Sequence, residues 1–319
     1  KSLDLIPLII PEAYGGMGLE QDSVSNALAL EALAYGDLSL SMSVSVPLLV
    51  AQIISEHGSE EQKGELLPKL VNGSIFHVGL GINNSLLSTD PYQSDVTAEE
   101  NGKEIILNGS KTGVAFANQA NTFLISASNE SDECNLYFIN KDQEGVTLED
   151  KDFMGLKGAP LSQINLSNCK INASQKLGGH NYSINYEALV DSSRIGMSAL
   201  ALGVCQAVLD YVVPYTNERV AFDEPISNRQ SVAFMVADMA IETEALRLMI
   251  YKSAALKDLG EDFHKQASLT YRFAAHHAMK IGTDGVQLLG GHGFTHEHPV
   301  ELWYRNLRAI GIFEGGAGV

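Results

Sequence analysis

The 319-residue sequence predicts an α+β protein of three parts, which follow one another in the order helices, strands, helices. Residues 20–70 are rich in Ala, Leu and Glu, as helices are, whereas residues 76–182 are rich in Asn, Ser, Thr and Gly with short β-prone runs. Helical texture returns near residue 184 and persists. Helices and strands that occur in separate runs favour α+β or separate domains over alternating β-α-β units.

Residues 1–75 are expected to form an N-terminal helical domain. The stretch from Ser23 to Tyr35 predicts one helix, which Gly36 ends, and helical texture continues through Leu48–His57. Ser59 is followed by two acidic residues, which is typical of an N-cap and the first turn after it. A further helix is therefore predicted to begin after Ser59.

Residues 76–182 are expected to form a compact antiparallel β domain. Its four clearest strand-like runs are Glu104–Leu107, Thr122–Ala127, Asn135–Ile139 and Ser162–Leu166. The dipeptides Asn101-Gly102 and Asn108-Gly109 separate such runs, and Asn-Gly is typical of tight hairpin turns because it tolerates a positive φ. Both dipeptides are therefore predicted to be turns.

Residues 183–319 are expected to form a C-terminal four-helix bundle, because long helices with short connections are typical of that architecture. The predicted helices are Ile195–Tyr215, Asn228–Leu259, Phe263–Leu289 and Val300–Leu307. The glycine-rich stretch after the third of them is not a dinucleotide-binding fingerprint. His296 stands where the third glycine is needed, and a helix rather than a strand precedes the stretch.

The composition restricts the classes of partner. The net charge of −18 disfavours nucleic acid, because a polyanion would be repelled by the average surface. Cys134, Cys169 and Cys205 are far apart, which disfavours disulfides and indicates a reducing compartment, the cytoplasm. No uninterrupted apolar run reaches about 18 residues, so no membrane span is expected.

Six different short motifs occur along the chain. They are Pro11–Gly16, Met154–Pro160, Asp191–Ile195, Glu218–Phe222, Gln287–Phe294 and Ile312–Gly315. In order, spacing and residue types they resemble the acyl-CoA dehydrogenase family, over nearly the whole chain. Relative to a typical member, the first N-terminal helix and the last C-terminal helix are expected to be missing.

The resemblance implies a fold and a reaction. Members combine the three domains predicted above, bind FAD at a subunit interface, and assemble as homodimers or homotetramers. They oxidise acyl-CoA to 2-enoyl-CoA: a glutamate removes the α-proton, the β-hydrogen leaves as hydride to flavin N5, and an electron-transfer acceptor reoxidises the flavin. Glu314 stands in the place of the base, and Ser193 stands where other members carry that base.

The resemblance also implies roles for further residues. Arg219 matches an arginine that reaches the diphosphate of FAD bound by a neighbouring subunit. The full set of FAD-binding candidates is Arg219, Phe222, Gln230, Gln287, Gly290 and Gly291. Arg194 and Ser94 are the candidates for binding the acyl-CoA substrate. The alternative to these binding roles is that Arg194 and Arg219 form ordinary ion pairs with neighbouring acidic residues.

A metal site is not expected. His292, His296 and His298 form an HxxxHxH pattern that can in principle ligate zinc. Members of the family carry aromatic or polar residues in this segment, and Gly293 and Pro299 interrupt it, so a structural or polar role is favoured.

Four positions depart from the family pattern around the flavin ring. Gly81 stands where members carry Thr, and Gly113 stands where they carry Trp. Ala115 stands where they carry Thr or Ser, and Gly316 where they carry Thr. Each lost hydrogen bond or stacking contact is worth about 1 kcal/mol. Three hypotheses follow: a working enzyme with a remodelled flavin pocket, a non-catalytic or flavin-free acyl-thioester-binding subunit that pairs with a catalytic paralogue, or a sibling flavoenzyme such as an oxidase.

Overall fold

The computed structural model describes residues 5–19, 22–72, 78–84 and 90–313, and it begins with helices. These are α1 (Leu5–Ile9), α2 (Ser23–Gly36), α3 (Leu38–His57) and α4 (Glu60–Val71). The predicted cap at Ser59 is confirmed: its side chain accepts from the Gln62 N–H, and the Gln62 side chain accepts from the Ser59 N–H. This reciprocal pairing satisfies two helix-terminal donors that would otherwise lack partners.

The middle of the chain forms one seven-stranded sheet with the order β1-β4-β2-β3-β7-β6, and β5 pairs with β4. The strands are β1 (Val78–Gly81), β2 (Thr97–Asn101), β3 (Glu104–Ala115), β4 (Thr122–Ser128), β5 (Cys134–Asn140), β6 (Val146–Lys151) and β7 (Leu161–Asn172). All four predicted strand runs lie inside these strands. The sheet is mixed rather than purely antiparallel, because β4 runs parallel to β1 and to β2.

The two Asn-Gly dipeptides have different structures. Gly102 lies in the predicted tight turn between β2 and β3, with φ +65°. The predicted turn at Asn108-Gly109 is wrong, because both residues lie inside β3, where a register irregularity falls between Leu107 and Gly109. Gly109 has φ +131°, and an added Cβ would lie 2.3 Å from the Asp95 carbonyl oxygen. The glycine is needed there for close approach of two backbones.

The last part of the chain is the predicted helical bundle. Its helices are α5 (Tyr186–Glu218), α6 (Gln230–Asp258), α7 (His264–Leu289) and α8 (Val300–Ile310), and the short pair β8 (Val220–Ala221) and β9 (Glu224–Pro225) connects α5 to α6. Each predicted helix is confirmed. Three of them agree with the predicted ends to within three residues, whereas α5 begins nine residues before the predicted start at Ile195. Helix α2 of the first part also packs against α5.

One apolar core joins the bundle to the rest of the molecule. It includes α2 and α3 residues such as Ala34 and Met42, bundle residues such as Ile250, and Phe116 from the end of the sheet. Helices α3 and α5 are long and apolar enough to cross a membrane by length and hydropathy, but 50% and 67% of the relevant windows are buried inside the fold. Many of their apolar residues pack in the hydrophobic cores of the described structure.

Candidate active site

An apolar cavity of about 180 Å³ lies between α2, α3 and α5 and reaches the ends of β1 and β3. Leu30 and Met42 line its walls, and Ser193 of α5 also faces it. At the sheet end it is bounded by Gly113 and Phe313. A cavity with mainly apolar walls and a few polar groups is typical of a small-molecule site.

A second cavity of about 170 Å³ lies between the 153–156 loop and the C-terminal end of α8. Leu161 and Ile312 are among its apolar lining residues, and Arg305 and Arg308 lie at its edge. The two cavities share three lining residues: Asn83, Gly113 and Phe313. The predicted base Glu314, the next residue along the chain, and Gly316 lie outside the described residues.

Gly113 and Phe313 fit together closely. Gly113 has φ +64°, and an added Cβ would lie 2.7 Å from Cε1 of Phe313. The Phe313 side chain is buried, with 6% of the residue exposed. The phenyl ring therefore occupies the space that a side chain at position 113 would need, and an aromatic ring still borders both cavities.

The other two described departures from the family pattern differ in their surroundings. An added Cβ on Gly81 would lie 2.4 Å from Cδ1 of Ile125, so a larger residue cannot enter unless Ile125 moves. Ala115 is buried, with 5% exposed, and lines the apolar cavity. Local packing therefore fills the space at Gly81, whereas Ala115 borders the cavity.

Arg194 is buried and held by side chains from two other parts of the fold, the segment before β2 and helix α7. Its Nη1 donates to the Tyr92 hydroxyl at 2.7 Å and to Ser268 Oγ at 3.0 Å. Its guanidinium lies 5.3 Å from the ring centroids of both Tyr92 and Tyr271. Only 8% of Arg194 is exposed. The residue predicted to bind substrate therefore also has a structural role inside the protein.

A carboxylate and histidine cluster adjoins Arg194, and the sequence reasoning missed it. The Tyr92 hydroxyl donates to Asp191 Oδ1 at 2.9 Å, and His264 Nδ1 lies 2.8 Å from Asp191 Oδ2 and 3.0 Å from Glu187 Oε1. The hydrogen bond to Asp191 raises the pKa of His264. The sequence signal for this cluster was the spacing of Glu187 and Asp191, which lie one helical turn apart on α5 and therefore on the same face.

Ser94, the second predicted substrate residue, uses its hydroxyl within the β domain. Its Oγ donates to the Ser126 carbonyl oxygen at 2.8 Å and accepts from the Val96 N–H at 3.1 Å. The Ser94 N–H donates to Ser128 Oγ at 3.2 Å. These bonds fix the 94–96 segment against β4, and the substrate role stays a prediction.

The predicted FAD residues of the bundle all lie on the surface. They are Arg219, Phe222, Gln230, Gln287, Gly290 and Gly291. Arg219 makes no ion pair with any residue in the described ranges, and Glu224 pairs instead with Arg229 at 2.9 Å. Added Cβ atoms on Gly290 and Gly291 would meet open space, so the backbone there is accessible to a ligand.

These residues lie far from Arg194. Arg219 follows α5 directly, 25 residues after Arg194. At 1.5 Å per helical residue, the two are about 37 Å apart along the helix axis. The Tyr215 hydroxyl lies 3.2 Å from His292 Nδ1, which brings the 290–294 turn to the same end of the bundle as Arg219.

The three histidines of the HxxxHxH pattern have separate partners. His292 Nδ1 faces the Tyr215 hydroxyl, whereas His298 Nδ1 lies 2.7 Å from the Tyr211 hydroxyl. His296 Nδ1 lies 2.8 Å from Glu301 Oε1. The side chains therefore serve three different polar contacts.

Models of the three acyl-CoA dehydrogenase domains match the chain in order. The N-terminal domain model matches residues 1–74, the middle domain model 86–169 and the C-terminal domain model 185–319. The chain belongs to the acyl-CoA dehydrogenase family. Membership confirms the predicted fold class, the enzyme class of oxidoreductase and FAD as the cofactor of this family.

Relatives in sequence and in structure agree with this assignment. The probable acyl-CoA dehydrogenase FadE25 of Mycobacterium tuberculosis is 34% identical, and the match covers 96% of this chain and 80% of that protein. Butyryl-CoA dehydrogenase from Megasphaera elsdenii superposes with a TM-score of 0.86 at 30% identity, covering 99% of this chain and 85% of the other.

Glutaryl-CoA dehydrogenase from Mycobacterium smegmatis, in complex with FADH2, superposes with the same TM-score at 27% identity. That match covers 98% of this chain and 81% of the other. Members of the acyl-CoA dehydrogenase family with different named substrates therefore share this fold.

Proposed function

We propose that this acyl-CoA dehydrogenase family member catalyses FAD-dependent α,β-dehydrogenation of an acyl-CoA thioester, with Glu314 as the base. The observation that carries the proposal is the shared wall of the two cavities. One cavity is apolar and suits an acyl chain. The other borders Gly113 of β3, which stands where family members carry a flavin-ring contact, and the two cavities meet at Gly113 and Phe313. Glu314 is the next residue after Phe313 in the sequence.

The described residues fit FAD in two places. The exposed turn at Gly290 and Gly291 leaves room for a phosphate to approach the backbone, as FAD binding requires. The cavity beside Gly113 offers apolar walls with Arg305 and Arg308 at its edge, which suits a partly polar ring system. Close packing at Gly81 removes one family contact without blocking this cavity.

The chain's own residues would carry the proton chemistry. The Glu314 carboxylate would accept the α-proton, and its backbone N–H would donate to the thioester carbonyl oxygen as negative charge develops there. The apolar residues around the cavity would exclude water and strengthen both interactions. FAD, when bound, supplies the two-electron oxidation of the β-C–H bond.

The size of the acyl cavity supports a short or medium acyl group. Its volume of about 180 Å³ is close to the roughly 150 Å³ of a cavity that admits one benzene molecule. We therefore expect an acyl tail of about six carbons to fit best. A series of saturated acyl-CoA substrates tests this: kcat/KM should peak near C6, and a peak at C14 or C16 would contradict it.

The separation of the FAD and substrate candidates supports an oligomer. Arg219, an FAD candidate, lies about 37 Å along α5 from Arg194, a substrate candidate, too far for one FAD to contact Arg219 and also reach a substrate held at Arg194 within one chain. Exposed apolar residues also follow one face of α6 at seven-residue spacing, with Phe234, Ile241 and Leu248 each more than 60% exposed. We expect Ile241→Glu to reduce the oligomer to smaller species in light scattering, whereas Leu40→Glu, at a site of similar exposure, should not.

The central test is spectroscopic. The purified protein should be yellow, and anaerobic addition of hexanoyl-CoA should bleach the flavin band. Glu314→Gln should keep the flavin and bind acyl-CoA without bleaching, whereas the surface variant Glu297→Gln should behave as the parent protein. Full activity of Glu314→Gln would exclude Glu314 as the base.

A colourless protein that cannot be reconstituted with FAD would overturn the proposal. In that case the flavin-free acyl-thioester-binding subunit would be favoured, with the close packing at Gly81 and Gly113 as its structural basis. Bleaching by hexanoyl-CoA followed by rapid reoxidation in air would instead favour an oxidase over transfer to an electron-transfer partner. Buried free thiols at all three cysteines support a reducing compartment such as the cytoplasm.

A further inference from the structure

Tyr271 connects α7 to the segment that leads to Glu314. It is fully buried, and its hydroxyl donates to the carbonyl oxygen of Ile310 at 2.5 Å and also to the carbonyl oxygen of Phe313. Ile310 is the last residue of α8, and the backbone turns immediately afterwards. One phenol therefore holds both the end of the helix and the residue before Glu314.

These carbonyl groups need a partner. The last four carbonyl oxygens of an α-helix accept no hydrogen bond within the helix. A buried carbonyl oxygen without a donor lowers the stability of the fold by about 1–3 kcal/mol. The turn itself supplies a bond from the Ile312 N–H to the Ala309 carbonyl oxygen at 3.0 Å. The Tyr271 hydroxyl adds the tertiary contact that fixes the 310–313 segment relative to α7.

Arg194 acts on the same tyrosine. Its guanidinium lies 5.3 Å from the Tyr271 ring centroid, and Ser268, one turn before Tyr271 on α7, accepts from its Nη1 at 3.0 Å. A cation near the ring is attracted to its π face and makes the phenol a stronger hydrogen-bond donor. Arg194 therefore supports the bonds that Tyr271 makes to the backbone.

Phe313 is held from both sides as a result. Its ring packs on the backbone of Gly113, and its carbonyl oxygen accepts from Tyr271. Phe313 directly precedes Glu314 in the sequence, so a fixed Phe313 fixes the point from which the Glu314 residue extends.

We propose that Tyr271 is a positioning residue for the catalytic base, and that Arg194 reinforces it. The inference rests on the proposed role of Glu314. Tyr271 touches no substrate atom in this scheme; it acts through the backbone at Phe313. A misplacement of about 1 Å at a reacting group can reduce the rate on the order of 100-fold.

Tyr271→Phe is the direct test, since it removes one oxygen atom and keeps the ring. We expect kcat for hexanoyl-CoA to fall about 10–100-fold, with KM within about threefold of the parent value and full flavin content. A less restricted Glu314 would be better solvated, so the acid limb of the kcat profile should move to lower pH. Hydrogen exchange of the amides at 311–313 should become faster.

Tyr251→Phe is the matched control. Tyr251 is also a bundle tyrosine, and its hydroxyl donates to Glu31 Oε2 at 3.0 Å, away from the 310–313 segment. This variant should lose a similar amount of stability but keep the parent kcat, pH profile and exchange rates. A purely structural role for Tyr271 predicts equal behaviour of the two variants, and that result would overturn the inference.

The outcomes separate the two proposals. Turnover by Glu314→Gln removes the base assignment whatever Tyr271→Phe does. An inactive Glu314→Gln together with a parent-like kcat and pH profile for Tyr271→Phe removes only the positioning role. If Tyr271→Phe yields no folded flavoprotein, Ser268→Ala provides a second test, because it removes one hydrogen bond of Arg194. This variant should shift the acid limb of the kcat profile to lower pH, by less than the shift expected for Tyr271→Phe. An unchanged profile would contradict the proposal.

Discussion

Replacing Gly113 by alanine tests the contact that joins the two cavities. Gly113 has φ +64°, a conformation in which a residue with a Cβ costs about 1–2 kcal/mol. The new Cβ would also lie 2.7 Å from Cε1 of Phe313, and overpacking a buried site costs about 1–3 kcal/mol. We expect Gly113→Ala to lower the free energy of unfolding by about 2–5 kcal/mol.

Gly102→Ala separates the two contributions. Gly102 has nearly the same φ, +65°, but an added Cβ there meets open space. This control should lose only the backbone part, about 1–2 kcal/mol. The difference between the two variants therefore measures the clash with the Phe313 ring.

Urea unfolding followed by circular dichroism and by the fluorescence of Trp303, the single tryptophan, gives both numbers. A double-mutant cycle with Phe313→Ala completes the assay, because removing the ring should relieve about 1–3 kcal/mol of the Gly113→Ala penalty. The reasoning is refuted if Gly113→Ala costs no more than Gly102→Ala, or if its cost is the same with and without the Phe313 ring.

Three further predictions concern other parts of the molecule. Burial lowers the pKa of Lys111 to about 8, so between pH 8 and 10.5 this lysine is protonated in the unfolded chain but largely neutral in the folded protein. The free energy of unfolding should therefore rise with pH across that range, and urea midpoints of Lys111→Met should lack this rise. Gly291→Val adds a side chain into open space, so the melting temperature without FAD should change little while FAD fluorescence titration shows weaker binding; equal affinity would contradict the phosphate role. Arg247→Met removes the cation beside the half-buried Glu31, which keeps its hydrogen bond from Tyr251, and should cost about 1–3 kcal/mol in thermal unfolding. Glu31→Gln in the same chain should partly restore this loss.

Local patterns predicted most of the secondary structure. Apolar residues at helical spacing predicted a long helix over Asn228–Leu259, close to the observed Gln230–Asp258, and the serine and acidic residues after Gly58 predicted the cap at Ser59. These signals are encoded within a few residues of one another. They are therefore visible without knowledge of the tertiary fold.

The features that the sequence did not reveal depend on distant partners. Asn108-Gly109 carries the same dipeptide as a true turn, and only the approach of the Asp95 backbone makes it a bulge. The bond from Tyr271 to the Phe313 carbonyl joins residues 42 positions apart, and neither residue type indicates it. Glycine at position 113 looked like the loss of a stacking residue, whereas the structure shows that Phe313 occupies the space.

The length of α5 has a consequence for handling the protein. Because Arg219 lies about 37 Å along this helix from Arg194, the diphosphate contact and the reaction centre of one flavin would come from different chains. Cofactor retention would then follow the law of mass action for subunits as well as for FAD. Dilution toward the dissociation constant of the oligomer should release flavin from a protein that holds it firmly when concentrated, so the yellow colour would report subunit association.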